Sequence, residues 1–316
     1  AARRAVAEIS TSSSAPWFAA YLPQDQLLAD PGTRDTAMHA IQCCVPDATL
    51  LPAGVEKLYL ADRAAHDAEY VVLDARERSA DGDNYTYDLD VRDPRGALVE
   101  RWEGLTLRAV RRRDGTGPWV PALLGPYLER ALERVLGGSR AVVVEPDPVS
   151  GDTGQTPDRR AQTELAASRA LGRPARLRYR PDGRPESDDA SVSASHCAGL
   201  TLVVVGSGRL GCDIESATDR DEATWTRLLG PELVAVRDLV AAEPGQSRTV
   251  ANTRVWTALE CLRKAGITAP ALTFVRTDPD GWVVLRAGDA VIATWVTSVN
   301  DQPDPLVVAV LAGKEG

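Results

Sequence analysis

The chain has 316 residues, 44% of them hydrophobic and 26% charged, with a formal net charge of -9 and a sequence pI near 5.0. This composition suits a folded protein of about two domains. It lacks the basic face that a phosphate backbone requires, which argues against nucleic acid as a partner. No apolar run approaches the ~20 residues that span a bilayer, so no membrane is expected either.

Residues 1–30 are Ser/Ala/Pro-rich without a clean period and lack the apolar core of a signal peptide, so a cytoplasmic location is expected. The chain begins without Met, which fits a piece of a longer polypeptide. Apolar spacing over 34–45 predicts a helix. The runs VEKLYLA, EYVVLDARE, NYTYDLDVRD and ALVERWEGLTLRAVRR then predict strands, with turn signals at 81–84 and 93–96. One helix followed by long antiparallel strands is a hot-dog pattern, a sheet wrapped around a helix. Residues 121–136 predict another helix, stopped by Gly137-Gly138.

The Pro/Gly/Asp-rich stretch 143–158 marks the expected boundary. The expected organisation is therefore a first domain over 1–140, a linker over 141–158 and a second domain over 159–316. Beyond the linker, 159–171 predicts a helix and LRYRPDGRP a strand and turn. The stretch SVSASHCAGLTLVVVGSGRLGCDIE predicts two strands, 221–242 and 249–265 predict helices, and three closing strands end the chain. The cysteines are Cys43, Cys44, Cys197, Cys212 and Cys261, an odd set with no CxxC, which argues against a disulfide framework or a zinc site.

Candidate chemistry gathers in the second domain. Asp213 and Glu215 lie two apart after a strand-like run, so both carboxylates share one face. Such acids beside an apolar strand call for a cation between them. In VWTALECLRKAG, Trp256, Glu260 and Lys264 recur every fourth residue on one helical face. Glu260 supplies a third carboxylate, and three carboxylates with waters and a diphosphate suit octahedral Mg²⁺. Lys264 reaches for a phosphate oxygen. Ser195 and His196 sit among small residues at a strand entry, where a phosphate can approach the backbone.

In order, these motifs resemble the phosphopantetheinyl transferase superfamily, in particular the pseudodimeric type that activates polyketide and peptide synthetases. The family pattern G-K-P, S-x-S-H, G-x-D-x-E and W-[ST]-x-K-E-x-x-x-K is met by Gly183-Arg184-Pro185, Ser193-Ala194-Ser195-His196, Gly211-Cys212-Asp213-Ile214-Glu215 and Trp256-Thr257-Ala258-Leu259-Glu260 through Lys264. The resemblance covers 159–312. It implies that Arg160, Arg184, Ser195, His196 and Lys264 bind coenzyme A, that Asp213, Glu215 and Glu260 hold Mg²⁺, and that Glu260 and Lys264 are catalytic. Leu259 departs from the pattern, standing where the family has Lys. Arg160 and Arg169 fall on opposite faces of one helix, so at most one of them touches coenzyme A.

Residues 1–116 resemble a polyketide synthase dehydratase, specifically its second hot-dog. RDTAMHAIQ carries the D-x-x-x-[QH] motif, which implies Asp35 as the acid with His39 one turn on. The partner motif H-x-x-x-G-x-x-x-x-P is absent, and neither His39 nor His66 supplies it, so the chain carries half a dehydratase. The order of the two parts resembles the C-terminus of an enediyne-type iterative polyketide synthase. The expected fold is α+β, a hot-dog followed by a pseudodimeric transferase fold. The expected activity is transfer of 4′-phosphopantetheine from coenzyme A to a serine of an acyl carrier protein domain, in the same synthase. A 3-hydroxyacyl thioester dehydratase fragment and a non-catalytic carrier-docking module are the alternatives.

Overall fold

The computed structural model describes residues 2–11, 21, 30–61, 68–147, 158–268 and 271–314. His66 and residues 148–157 of the expected linker lie outside them. The chain divides into two compact units, residues 2–113 and residues 114–316.

The first unit contains β1 (Arg4–Ser10), α1 (Pro31–Ala40), β2 (Ala48–Gly54), β3 (Lys57–Leu60), β4 (Tyr70–Asp81), β5 (Asn84–Arg92) and β6 (Leu98–Arg112). The strands form one antiparallel sheet in the order β1-β4-β5-β6-β2, with β3 also paired to β6. Helix α1 starts earlier than its apolar spacing suggested, because Asp30 caps it by accepting the Thr33 N–H at 2.8 Å and Pro31 takes the first helical position. It passes into a 3₁₀ turn at Ile41–Cys44. Along β5 every second residue is buried, so Tyr85, Tyr87, Leu89 and Val91 line one face of the sheet. Ala37 and Ile41 of the helical segment pack into the same core. A single sheet with one apolar face and a helix against it is consistent with the expected hot-dog.

Two carboxylates are buried there, Asp47, which pairs with Arg112, and Glu100. Glu100 on β6, 5% exposed, accepts from Arg34 of α1 at 3.1 Å and from the Trp102 indole N–H at 2.9 Å. The pair ties the helix to the sheet. Removing one partner leaves an uncompensated charge, so Glu100→Ala should cost about 3–5 kcal/mol. Urea unfolding of the variant measures this, and a loss below 1 kcal/mol would mean that the pair is solvated in solution.

The second unit contains α2 (Pro121–Leu136), β7 (Ala141–Pro146), α3 (Arg159–Leu171), β8 (Arg178–Tyr179), β9 (Pro185–Glu186), β10 (Ser191–Cys197), β11 (Leu200–Gly206) and β12 (Arg209–Ser216). It continues through α4 (Glu222–Ala241), α5 (Arg248–Lys264), β13 (Leu272–Thr277), β14 (Val283–Ala287), β15 (Ala290–Thr297) and β16 (Leu306–Gly313). α4 breaks at Gly230-Pro231. Three strands pair as β10-β11-β7, five as β12-β16-β15-β14-β13, and β8 pairs with β9. The central stretch thus holds three strands rather than the expected two, because Gly206-Ser207-Gly208 separates β11 from β12. The closing region holds four strands rather than three.

The boundary differs from expectation. α2 and β7 belong with the C-terminal elements: Leu124, Tyr127, Leu128, Val142 and Val144 share a core with Leu202, Ile214 and Trp295. The apolar stripe of α2 is buried only by strands that follow it, so the division falls after Arg113. Residues 141–146, expected in a linker, are strand β7. α3 covers the other face of the three-stranded sheet, and α4 and α5 pack on the five-stranded one.

Candidate functional site

β12 places the acids. Leu210, Cys212 and Ile214 point into one core, so the alternation turns Gly211, Asp213 and Glu215 to the opposite face. That face meets α5 closely. A Cβ at position 211 would run into the Cys261 carbonyl oxygen, so glycine lets the helix approach the strand. The approach brings Lys264, at the end of α5, onto β12. Its Nζ donates to Asp213 Oδ1 at 2.7 Å and to the Cys212 carbonyl at 2.9 Å.

Strand β10 meets β12 from the other side. Ser193 Oγ accepts the Cys212 N–H at 2.9 Å, Ser195 Oγ donates to Asp213 Oδ1 at 2.7 Å, and the Cys197 thiol lies 3.7 Å from Glu215 Oε2. Asp213 is 3% exposed, yet its second oxygen, Oδ2, has no hydrogen-bond partner. Burial and then the Asp213 charge push the Glu215 carboxyl above its ordinary range. Burial alone would lower the Lys264 ammonium, but the Asp213 charge and hydrogen bond outweigh it and hold Lys264 above the usual lysine value. Lys264 is therefore a fixed cation, suited to stabilising negative charge rather than to giving up a proton.

A groove of about 920 Å³ opens beside this cluster, lined by Arg178, Arg180, Arg184, Glu260, Arg263 and Lys264 among others. Arg184 donates to the Arg263 and Lys264 carbonyls at 3.2 and 3.0 Å. It caps the end of α5, where a cation opposes the helix dipole. It also pairs with Asp182 at 2.8 Å.

The expected three-acid metal site is only partly assembled. Glu260 pairs with Arg263, three residues on, and among the described residues no three His, Cys, Asp or Glu side chains gather as a metal site. The unpartnered, buried Asp213 Oδ2 and the half-buried Glu215 on the same strand face are hard oxygen donors, so Asp213 and Glu215 remain candidate ligands and Glu260 stands outside them.

The expected coenzyme A residues scatter. Ser195 is buried and committed to Asp213. His196, on the opposite face of β10, does not line the groove; Thr201 and Thr163 hold its ring nitrogens. Arg160 stacks on the Tyr179 ring at 4.8 Å, and Arg169 pairs with Glu145. Arg184 and Lys264 do line the groove. Leu259 is half-buried and joins no core cluster, so the position can take the family lysine without burying it. The residues missed from sequence are Ser193, Thr201, Thr163 and Asp147. The one available signal for Ser193 was its two-residue spacing from Ser195.

In the first unit Asp35 and His39 sit on the outer face of α1, opposite Arg34, Ala37 and Ile41. Their side chains are 66% and 72% exposed and lie 3.3 Å apart.

The family model for the polyketide synthase dehydratase N-terminal domain matches residues 1–116, all of the first unit and just beyond it. The likeness to a dehydratase agrees with the motifs, but the half that this family describes is the N-terminal one, not the second hot-dog expected from D-x-x-x-[QH]. The matched region contains none of the motifs of 159–312, so the transferase reading rests on those motifs and their geometry alone. Among solved structures, the dehydratase domain of a mycocerosic acid synthase-like polyketide synthase is similar at 22% identity over 27% of this chain, with a TM-score of 0.23, too low to carry an argument. The chain spans 30% of the length of that relative. No curated protein matches.

Gly211→Ala should lower the stability of the second unit by about 1–3 kcal/mol, because the methyl group must displace α5. Thermal unfolding reads this directly. An unchanged midpoint would mean that α5 and β12 have room between them.

Proposed function

We propose that this chain is a piece of a polyketide synthase whose first unit is one half of a 3-hydroxyacyl thioester dehydratase. The observation that carries this is the match of a dehydratase family to residues 1–116, whose strands form one antiparallel sheet with α1 packed on its apolar face. The Asp35 side chain stands exposed on α1, with His39 3.3 Å away. It would become competent only when the other hot-dog of the dehydratase covers that face. An acyl carrier protein domain of the synthase would deliver the thioester. Asp35→Asn in the full synthase should reduce dehydration of a carrier-bound 3-hydroxyacyl thioester by at least ~100-fold, followed by mass spectrometry. Residual activity near the parent level would remove Asp35 from the chemistry.

A second reading applies to residues 114–316, favoured by one observation: a buried aspartate with an unpartnered oxygen, held by a fixed lysine at the edge of an arginine-rich groove. That arrangement suits a diphosphate ester, and with the ordered motifs it supports 4′-phosphopantetheinyl transfer. The carrier serine hydroxyl would attack the β-phosphorus of coenzyme A, forming the new P–O bond as the bond to 3′,5′-ADP breaks. Glu260, on the groove wall, would take the hydroxyl proton, exchanging its Arg263 partner for the serine. Lys264 would stabilise charge on the departing ADP. Arg184 holds the end of α5, so its effect on phosphate runs through Lys264. Asp213 and Glu215 would hold Mg²⁺, which when bound supplies charge neutralisation for the diphosphate.

Incubation with an apo carrier domain, coenzyme A and Mg²⁺ should add one phosphopantetheine mass. Glu260→Gln should slow transfer by ~100-fold or more while leaving the melting temperature in place. No mass gain on any synthase carrier would leave the second unit as a docking module.

A further inference from the structure

One of the cations lining the groove holds the residue read above as the base. Arg178, Arg180 and Arg184 pair with Asp188, Glu186 and Asp182, acids of the same stretch of chain, and Arg184 also caps α5. Lys264 is fixed on the buried Asp213. Arg263 differs from all of these, because its partner is Glu260.

The last turns of α5 bring Trp256, Glu260 and Arg263 together at helical spacing. The Arg263 guanidinium lies over the Trp256 ring, 5.4 Å from its centroid, and donates to Glu260 Oε1. Both Arg263 and Glu260 line the groove, with side chains 56% and 23% exposed. The arginine is therefore folded back along its own helix, and it occupies a carboxylate oxygen that would accept the proton of an incoming serine hydroxyl. The hold is weak. An exposed ion pair of this kind shifts an equilibrium by about two- to fivefold. A phosphate in the groove would offer the same guanidinium two charge-assisted hydrogen bonds in fork geometry, which is a stronger contact.

We propose that Arg263 couples occupancy of the groove to the release of Glu260. In the empty groove it closes the carboxylate, and when an anionic phosphate ester binds it moves to the phosphate and leaves Glu260 free to take a proton. The role of Glu260 rests on the transferase reading; the exchange of partners by Arg263 does not. Because the ligand and Glu260 compete for one guanidinium, removing the carboxylate should strengthen ligand binding even as it stops the chemistry.

The test is titration calorimetry on the full chain without divalent metal, using coenzyme A and, separately, pyrophosphate. The parent, Glu260→Gln, Arg263→Gln and the double variant form a cycle. Glu260→Gln should tighten binding by about two- to fivefold, and Arg263→Gln should weaken it by about tenfold. In the Arg263→Gln background, Glu260→Gln should no longer tighten it. Loss of one negative charge from the groove would by itself help an anion equally in both backgrounds, and that result overturns the proposal. So does an Arg263→Gln variant that binds like the parent, or a parent that binds neither probe. Melting temperatures should stay near the parent's, since both side chains reach the surface. If the cycle behaves as expected but no carrier gains pantetheine, the exchange stands and the transferase reading falls. If carriers gain pantetheine but the two substitutions act independently on binding, the reading stands and the exchange falls.

Discussion

Burial of the Asp213 carboxylate is the constraint on which the second unit is built. A charge withdrawn from water is costly unless it is paired and hydrogen-bonded. Here Lys264 and Ser195 share one oxygen, and each depends on something further away. Lys264 reaches β12 because Gly211 lets α5 lie close, and the end of α5 is held by Arg184 from the β8–β9 hairpin. Ser195 arrives because β10 crosses β12 and is anchored there by Ser193. The glycine and arginine of the sequence motifs are thus explained by geometry: one removes a methyl group, the other caps a helix.

The first unit applies the opposite strategy. Its buried Glu100 is satisfied on both oxygens by Arg34 and Trp102 and holds α1 on the sheet. Its candidate reactive acid, Asp35, is left outside. Neighbouring residues of one helix turn therefore divide the work. Arg34 faces inward and fixes the helix, while Asp35 faces outward.

Much of this was legible in sequence where the signal is local. Period two in GCDIE placed Asp213 and Glu215 on one face, and the strands β4, β5 and β6 followed from alternation bounded by turns. Spacing by four put Glu260 and Lys264 together on the groove wall. Signals failed where two of them competed. The stretch 143–158 is rich in turn formers, and it outweighed the shorter Asp114-Gly115-Thr116-Gly117-Pro118, where the units divide. β2 carries Pro52, which hides a strand. Long-range contacts left no trace at all. Nothing in the order of residues says that Asp147 will meet Thr201, or that Arg263 will take Glu260.

Strand β10 is worth following to its consequence. Ser193, Ser195 and Cys197 face β12, while Val192, Ala194 and His196 face α3 and its neighbours. Both halves of the polar network are therefore written on the two sides of a seven-residue ribbon. Loss or gain of one residue between 191 and 197 would exchange the sides. Alanine and valine would then face the acids, and the imidazole would leave its threonines. Evolution can retune either side by substitution, residue by residue. It cannot change the ribbon's length without erasing both at once, which makes this short segment intolerant of insertion and the Ala198-Gly199 turn its guard.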